Sequence, residues 1–207
     1  MFSLRITSLY LVSALAGVSV AAPYAVESRC DATCAAKSHP VPVILADVKN
    51  SISPMLAKIQ SMPEVKADDV SPIVDNIKAV INDATNNIQS YVDNKVDRDA
   101  ALASDSNGGP PISVDVLVKI LVDLVLSIVV CIKAALSVCI TVDLSVCITI
   151  FASLCVTICG LLAVLGSLVV ELLAVLMVEL KVFVDLCVQL GVGAAVSVLG
   201  AKISISL

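Results

Sequence analysis

The chain has 207 residues, enough for one domain of ordinary size or for a small polar module beside a hydrophobic one. Hydrophobic residues make up 58% and charged residues 15%, against about 45–50% and 25% in globular proteins, which points to a membrane or surface-active protein. The formal charge of −5 without a basic cluster argues against nucleic-acid binding, and it gives anionic membranes no Coulomb attraction, so any affinity for a bilayer must come from apolar burial.

Met1 to Ala22 reads as a secretory leader: Arg5 opens it, Ile6 to Val20 is apolar, and Ala21 and Ala22 are the small residues of a cleavage site. The mature chain is expected to begin near Pro23, which places the protein in the secretory pathway, at the cell surface or membrane-associated. In that oxidising environment disulfides are permitted for all eight cysteines. Residues 23–42 form a connector, and Cys30 and Cys34 within it are the simplest disulfide pair. No Asn-x-Ser/Thr sequon is present.

Residues 43–103 predict an amphipathic helical hairpin. In its first helix Leu45, Val48, Ile52, Met55, Leu56 and Ile59 recur at three- and four-residue steps, and Pro54 is expected to kink the helix or start a new one. In the second, Ser71 is the expected N-cap with Pro72 at the first helical position, and Ile73, Ile77, Val80, Ile81, Ala84, Ile88, Tyr91 and Val92 form the apolar stripe. Residues 104–111, Ser-Asp-Ser-Asn-Gly-Gly-Pro-Pro, mark the clearest boundary in the chain.

Beyond this loop, residues 112–207 form a very hydrophobic region. From Ile112 to Ile158 every even position is Val, Ile, Leu or Ala, a strand-like alternation. An eight-residue repeat runs through it, as Cys131-Ile-Lys, Cys139-Ile-Thr, Cys147-Ile-Thr and Cys155-Val-Thr. Helix is nevertheless expected, because the run holds no Gly, Pro or Asn in which several hairpins could turn, and burying each Val or Ile at about 1.5–3 kcal/mol exceeds its small helix-propensity penalty. Breaks near Asp143 and at Gly160 predict helices at about 113–142, 144–159 and 161–190. The fold class expected is all-α: a bundle with two amphipathic N-terminal helices and a very hydrophobic C-terminal set.

Leu144 to Val170 is uncharged over 27 residues and contains fifteen Leu, Ile, Val or Phe residues. At about −0.3 to −0.6 kcal/mol each in a membrane, they give on the order of −5 to −9 kcal/mol for insertion. Lys133 cancels most of the corresponding gain in the preceding segment, at a cost of about 2.5–3.5 kcal/mol. A soluble bundle that buries the same residues is the competing arrangement.

No catalytic constellation is visible. His39 is the only histidine and lies in the connector, which disfavours a triad or a zinc centre, and the adjacent Asp68 and Asp69 read as surface acids at a helix start. Cys155 and Cys159, one helical turn apart, are near the limit of disulfide geometry, and the remaining cysteines read as small apolar core residues. The chain is therefore expected to be non-enzymatic, without metal or cofactor. Its expected partner is a lipid bilayer or another hydrophobic surface; no protein partner is named by the sequence.

The paired amphipathic segments ILADVKNSISPMLAKIQSM and VSPIVDNIKAVINDATNNIQSYV resemble, in pattern over residues 43–98, small secreted fungal proteins of the hydrophobic-surface-binding and cell-wall mannoprotein type. The resemblance implies a helical, non-enzymatic protein that adsorbs to hydrophobic surfaces, with no catalytic residues. The cysteine octads and the extreme C-terminal hydrophobicity depart from that pattern. The alternative function is a soluble extracellular helical bundle carrying an apolar ligand.

Overall fold

Periodic burial organises the chain into α1 (Val41–Gln60), α2 (Ala67–Asp93), a single turn α3 (Arg98–Ala101), α4 (Val114–Ser137), α5 (Leu144–Leu168), α6 (Val170–Glu179) and α7 (Lys181–Gln189). These elements come from a computed structural model that describes residues 39–107 and 109–193. The leader, the Cys30/Cys34 pair and residues 194–207 lie outside the described residues. The protein is mostly helical, and the alternation from Ile112 to Ile158 makes no strand among the described residues.

Four long helices form a ring in which α1 packs on α2, α2 on α5, α5 on α4 and α4 on α1; α2 against α5 is the most extensive interface. Direction follows from three contacts. Lys49 pairs with Asp123, and the Cys131 thiol donates to the Leu56 carbonyl at 3.6 Å, so α1 and α4 run in parallel. The Ala67 N–H donates to the Asp143 carboxylate at 3.2 Å, which brings the starts of α2 and α5 together. At that end the two connections are tied by Val65, whose N–H bonds the Val138 carbonyl and whose carbonyl accepts from Ile140. The chain thus runs up, down, up and down, and α6 and α7 pack against α4.

One continuous hydrophobic cluster fills the interior, with contributions from every long helix, and every buried side chain among the described residues is hydrophobic. Both predicted amphipathic stripes are observed in the core: Leu45, Val48, Ile52, Leu56 and Ile59 on α1, and Ile73, Ile77, Ile81, Ala84, Ile88 and Tyr91 on α2.

Three boundaries differ from the sequence expectation. Helix α1 continues through Pro54, which lies on the exposed side with Asn50, so the carbonyl deprived of its N–H partner is left on the wet face. Helix α2 begins at Ala67, not after Ser71; its opening N–H is capped by Asp143 from the α4–α5 connection, and Asp68 and Asp69 complement the helix dipole. Helix α5 passes through Gly160, and the breaks fall at Val169, which is extended, and at Leu180. A helical glycine costs only about 1 kcal/mol, less than the flanking Ile158, Cys159, Leu161 and Leu162 gain from burial.

The two α5 glycines have opposite surroundings. A Cβ on Gly160 meets nothing within 4 Å, whereas one on Gly166 would overlap the Leu173 side chain of α6. Gly160→Ala is expected to raise stability by about 0.5–1 kcal/mol, and Gly166→Ala to lower it by about 1–3 kcal/mol. Urea unfolding of both variants checks this; equal effects would mean that α6 does not pack on α5 at Gly166.

Candidate interaction surface

Burial divides α5 into an inner and an outer face. Its inner face carries Cys147, Phe151, Leu154, Cys155, Ile158, Leu162 and Leu165, all buried. Its outer side carries Ser145, Val146, Thr149, Val156, Gly160 and Ser167, all exposed, flanked by half-buried Ser153 and Thr157. Among the described residues α5 alone is long and apolar enough to cross a membrane, and only 44% of its most apolar stretch is buried. Along about 37 Å, at 1.5 Å per residue, this helix presents no charge. At its start Val142 and Leu144 extend the exposed aliphatic surface, with Val142 86% exposed.

Four of the five hydroxyls on this side are bonded within their own helix. Thr149 donates to the Ser145 carbonyl at 3.0 Å, Ser153 to Ile150 at 2.7 Å, Thr157 to Ser153 at 3.1 Å and Ser167 to Ala163 at 2.9 Å. A hydroxyl used this way needs no water as donor, which lowers the cost of placing the surface against an apolar phase. The other long helices differ: exposed charges include Asp47 and Lys58 on α1, Asp75 and Asp83 on α2, and Lys119, Asp123 and Lys133 on α4.

Sequence reasoning missed two features. The first is a pair of clefts flanking α4 that share Asp123 and Leu126. One, of about 460 Å³, lies against α1 at Ser53 and Ala57; the other, of about 470 Å³, lies against α6 at Val175 and Glu179. Helical spacing of Val118, Val122, Leu126 and Val130 was a signal for this apolar row. The second is the grouping of thiols. The Cys187 thiol of α7 is raised to about 12, first by Cys155 of α5, the Cys159 thiol is raised by Cys187, and burial together with Cys139 raises the Cys147 thiol to about 12. Cys187 lies outside the octad repeat, so spacing offered no signal for its partners.

The remaining sequence candidates stay apart from these features. His39 is exposed, its Nδ1 bonded to Ser106 Oγ at 2.9 Å and its carbonyl accepting from Tyr91 Oη at 2.8 Å, which anchors the start of α1 to the 104–111 loop. Asp68 and Asp69 are exposed on the first turn of α2. Burial raises the Cys131 thiol to about 11, so it stays protonated, as suits a small core residue. No group of three His, Cys, Asp or Glu side chains among the described residues could hold a metal ion. Comparison with known proteins finds no matching family, no matching curated protein and no matching solved structure.

Proposed function

We propose that this is a non-enzymatic helical protein of the secretory pathway that associates with membranes or other hydrophobic surfaces, and that it does so through the outer side of α5. The observation that carries this reading is an uncharged helix side whose Thr149, Ser153, Thr157 and Ser167 hydroxyls are already bonded to their own backbone. The pattern resemblance of residues 43–98 to surface-adsorbing secreted proteins agrees with it.

Magnitudes favour adsorption of the closed bundle over extraction of α5. Inserting α5 gains on the order of 5–9 kcal/mol. Removing it from the bundle uncovers the α2 stripe, where Val70, Val74, Ile77, Ile81 and Ile88 are buried; at about 1.5–3 kcal/mol per side chain fully exposed, that loss is as large as the gain. Adsorption avoids the loss. The exposed parts of Val142, Leu144, Val146 and Val156 contribute roughly 1 kcal/mol each, which gives weak, reversible binding.

Flotation with neutral phosphatidylcholine vesicles, followed by an alkaline carbonate wash, tests the proposal. The chain is expected to float and then to be stripped by carbonate. A chain that stays in the aqueous fraction overturns surface association, and one that resists carbonate and requires detergent overturns the closed-bundle mode.

A second reading, a soluble carrier of an apolar ligand, is favoured by the apolar floor of the clefts along α4, where Val118, Val122 and Leu126 meet Val175. It predicts saturable binding of an alkyl-chain probe by protein that does not float.

A further inference from the structure

The two clefts beside α4 form an asymmetric trough. Val118, Val122, Leu126 and Val130 recur every four residues along it, and the clefts meet at Asp123 and Leu126. At about 1.5 Å per residue this aliphatic row is about 18 Å long, a little more than the roughly 15 Å acyl layer of one bilayer leaflet. Val122 and Leu126 are half-buried and Val130 is 58% exposed, so the row is open to a ligand from solvent. The cleft volumes of about 460 and 470 Å³ fall within the range of small-molecule sites, about 300–1,000 Å³.

Unpaired charge gathers at one end. Against α6 the trough is lined by Asp115, Lys119 and Glu179, all exposed and, among the described residues, in no ion pair. Toward α1 it is lined by Ser53, Ala57, Gln60 and Ser127, and the shared Asp123 is neutralised by Lys49.

We propose that this trough binds one long-chain primary amine, with its ammonium group at Asp115 and Glu179 and its alkyl chain along Val122 and Leu126 toward Val130. Such an amine, with a pKa near that of lysine at about 10.4, is cationic at neutral pH and brings three donors to the two carboxylates. The two acids outweigh Lys119, and the formal charge of −5 on the whole chain acts in the same sense. A fatty acid of equal length meets the same aliphatic row but sets its carboxylate against two like charges. Exposed ion pairs contribute little each, so the alkyl chain supplies most of the affinity and the head group sets direction and selectivity. The inference rests on the carrier reading of these clefts, whose ligand it names, and is separate from adsorption through α5.

Calorimetric titration of the full chain with tetradecylammonium and with tetradecanoate, each below its micelle concentration at neutral pH and physiological salt, compares two heads on one chain length. The amine is expected to bind saturably, one per protein chain, and about tenfold tighter than the carboxylate. Asp115→Asn combined with Glu179→Gln is expected to weaken the amine about tenfold, and Lys119→Glu to strengthen it about fivefold. Lys133→Glu makes the same change in net charge on α4 outside the trough, and is expected to leave both affinities unchanged. Circular dichroism of each variant checks that the helices are intact. Because the chain has no tryptophan, Val130→Trp reports on the far end of the trough alone, and its emission is expected to shift to the blue in step with amine binding.

Equal affinities for amine and carboxylate, or equal responses to Lys119→Glu and Lys133→Glu, overturn the inference and leave the carrier reading standing. Emission that stays unmoved at saturating amine overturns the placement of the alkyl chain. Saturable binding of neither probe overturns the inference and the carrier reading together, whether the trough stays empty or sedimentation shows a dimer that closes it.

Discussion

Val156→Asp is expected to reduce partition into neutral phosphatidylcholine vesicles on the order of a hundredfold while leaving thermal unfolding nearly unchanged. Val156 lies midway along α5 on its uncharged side and is 47% exposed. The substitution removes the roughly 1 kcal/mol contributed by Val156 and adds the desolvation of a carboxylate, for which about 2.5–3.5 kcal/mol at the centre of an inserted helix is the upper bound, and each 1.4 kcal/mol is tenfold in partition. Sequence alone suggests that the same substitution in a soluble bundle would bury an unpaired charge and destabilise it. The structure corrects that expectation, because water reaches the position and exposed substitutions usually change stability by within about 0.5 kcal/mol. Flotation and a melting curve measured on the same variant therefore separate the two effects. Unchanged flotation would remove α5 from the adsorbing surface, and a large fall in melting temperature would mean that Val156 faces the core.

Phe151→Ala is expected to show the converse, a loss of about 3–5 kcal/mol in stability with no loss of vesicle partition. Phe151 is fully buried on α5, the helix whose principal partner is α2. The cost combines lost transfer energy with the cavity left behind. For a chain of this size each kcal/mol moves the melting temperature by about 2–4 °C, which puts the expected fall at roughly 6–20 °C. Partition is expected to hold or rise, because loosening α5 from α2 uncovers more apolar surface. Chemical denaturation beside vesicle flotation measures both quantities. A loss below about 1 kcal/mol would show that α5 is not packed inside the bundle in solution.

Particular residues show what could be read from the chain. The α1 and α2 stripes were legible because their apolar residues recur every three or four positions against Asp, Asn and Lys, and that contrast directly specifies an inward face. The choice of helix for Ile112 to Ile158 was legible for a different reason: no residue in the run could turn a hairpin. The start of α2 was not legible, because its cap comes from Asp143, 76 positions away. Gly160 misled, since a local cost of about 1 kcal/mol was outweighed by burial on both sides of it.

The interaction surface was legible as a helix and illegible as a face. By itself the sequence determined that Leu144 to Val170 is uncharged and helical in character, with a break expected at Gly160 that α5 does not have, and that two amphipathic helices precede it. Only the tertiary structure decided that α5 turns Phe151, Leu154 and Ile158 toward the core and leaves Val146, Thr149 and Val156 outside. The reason is physical. Transfer from water rewards an apolar side chain equally whether it meets lipid or protein, so a helix without charges carries no polar stripe to mark its outer side. The choice falls to the shape of its neighbours, which close over Phe151, Leu154 and Ile158 and leave Val146 and Val156 to solvent.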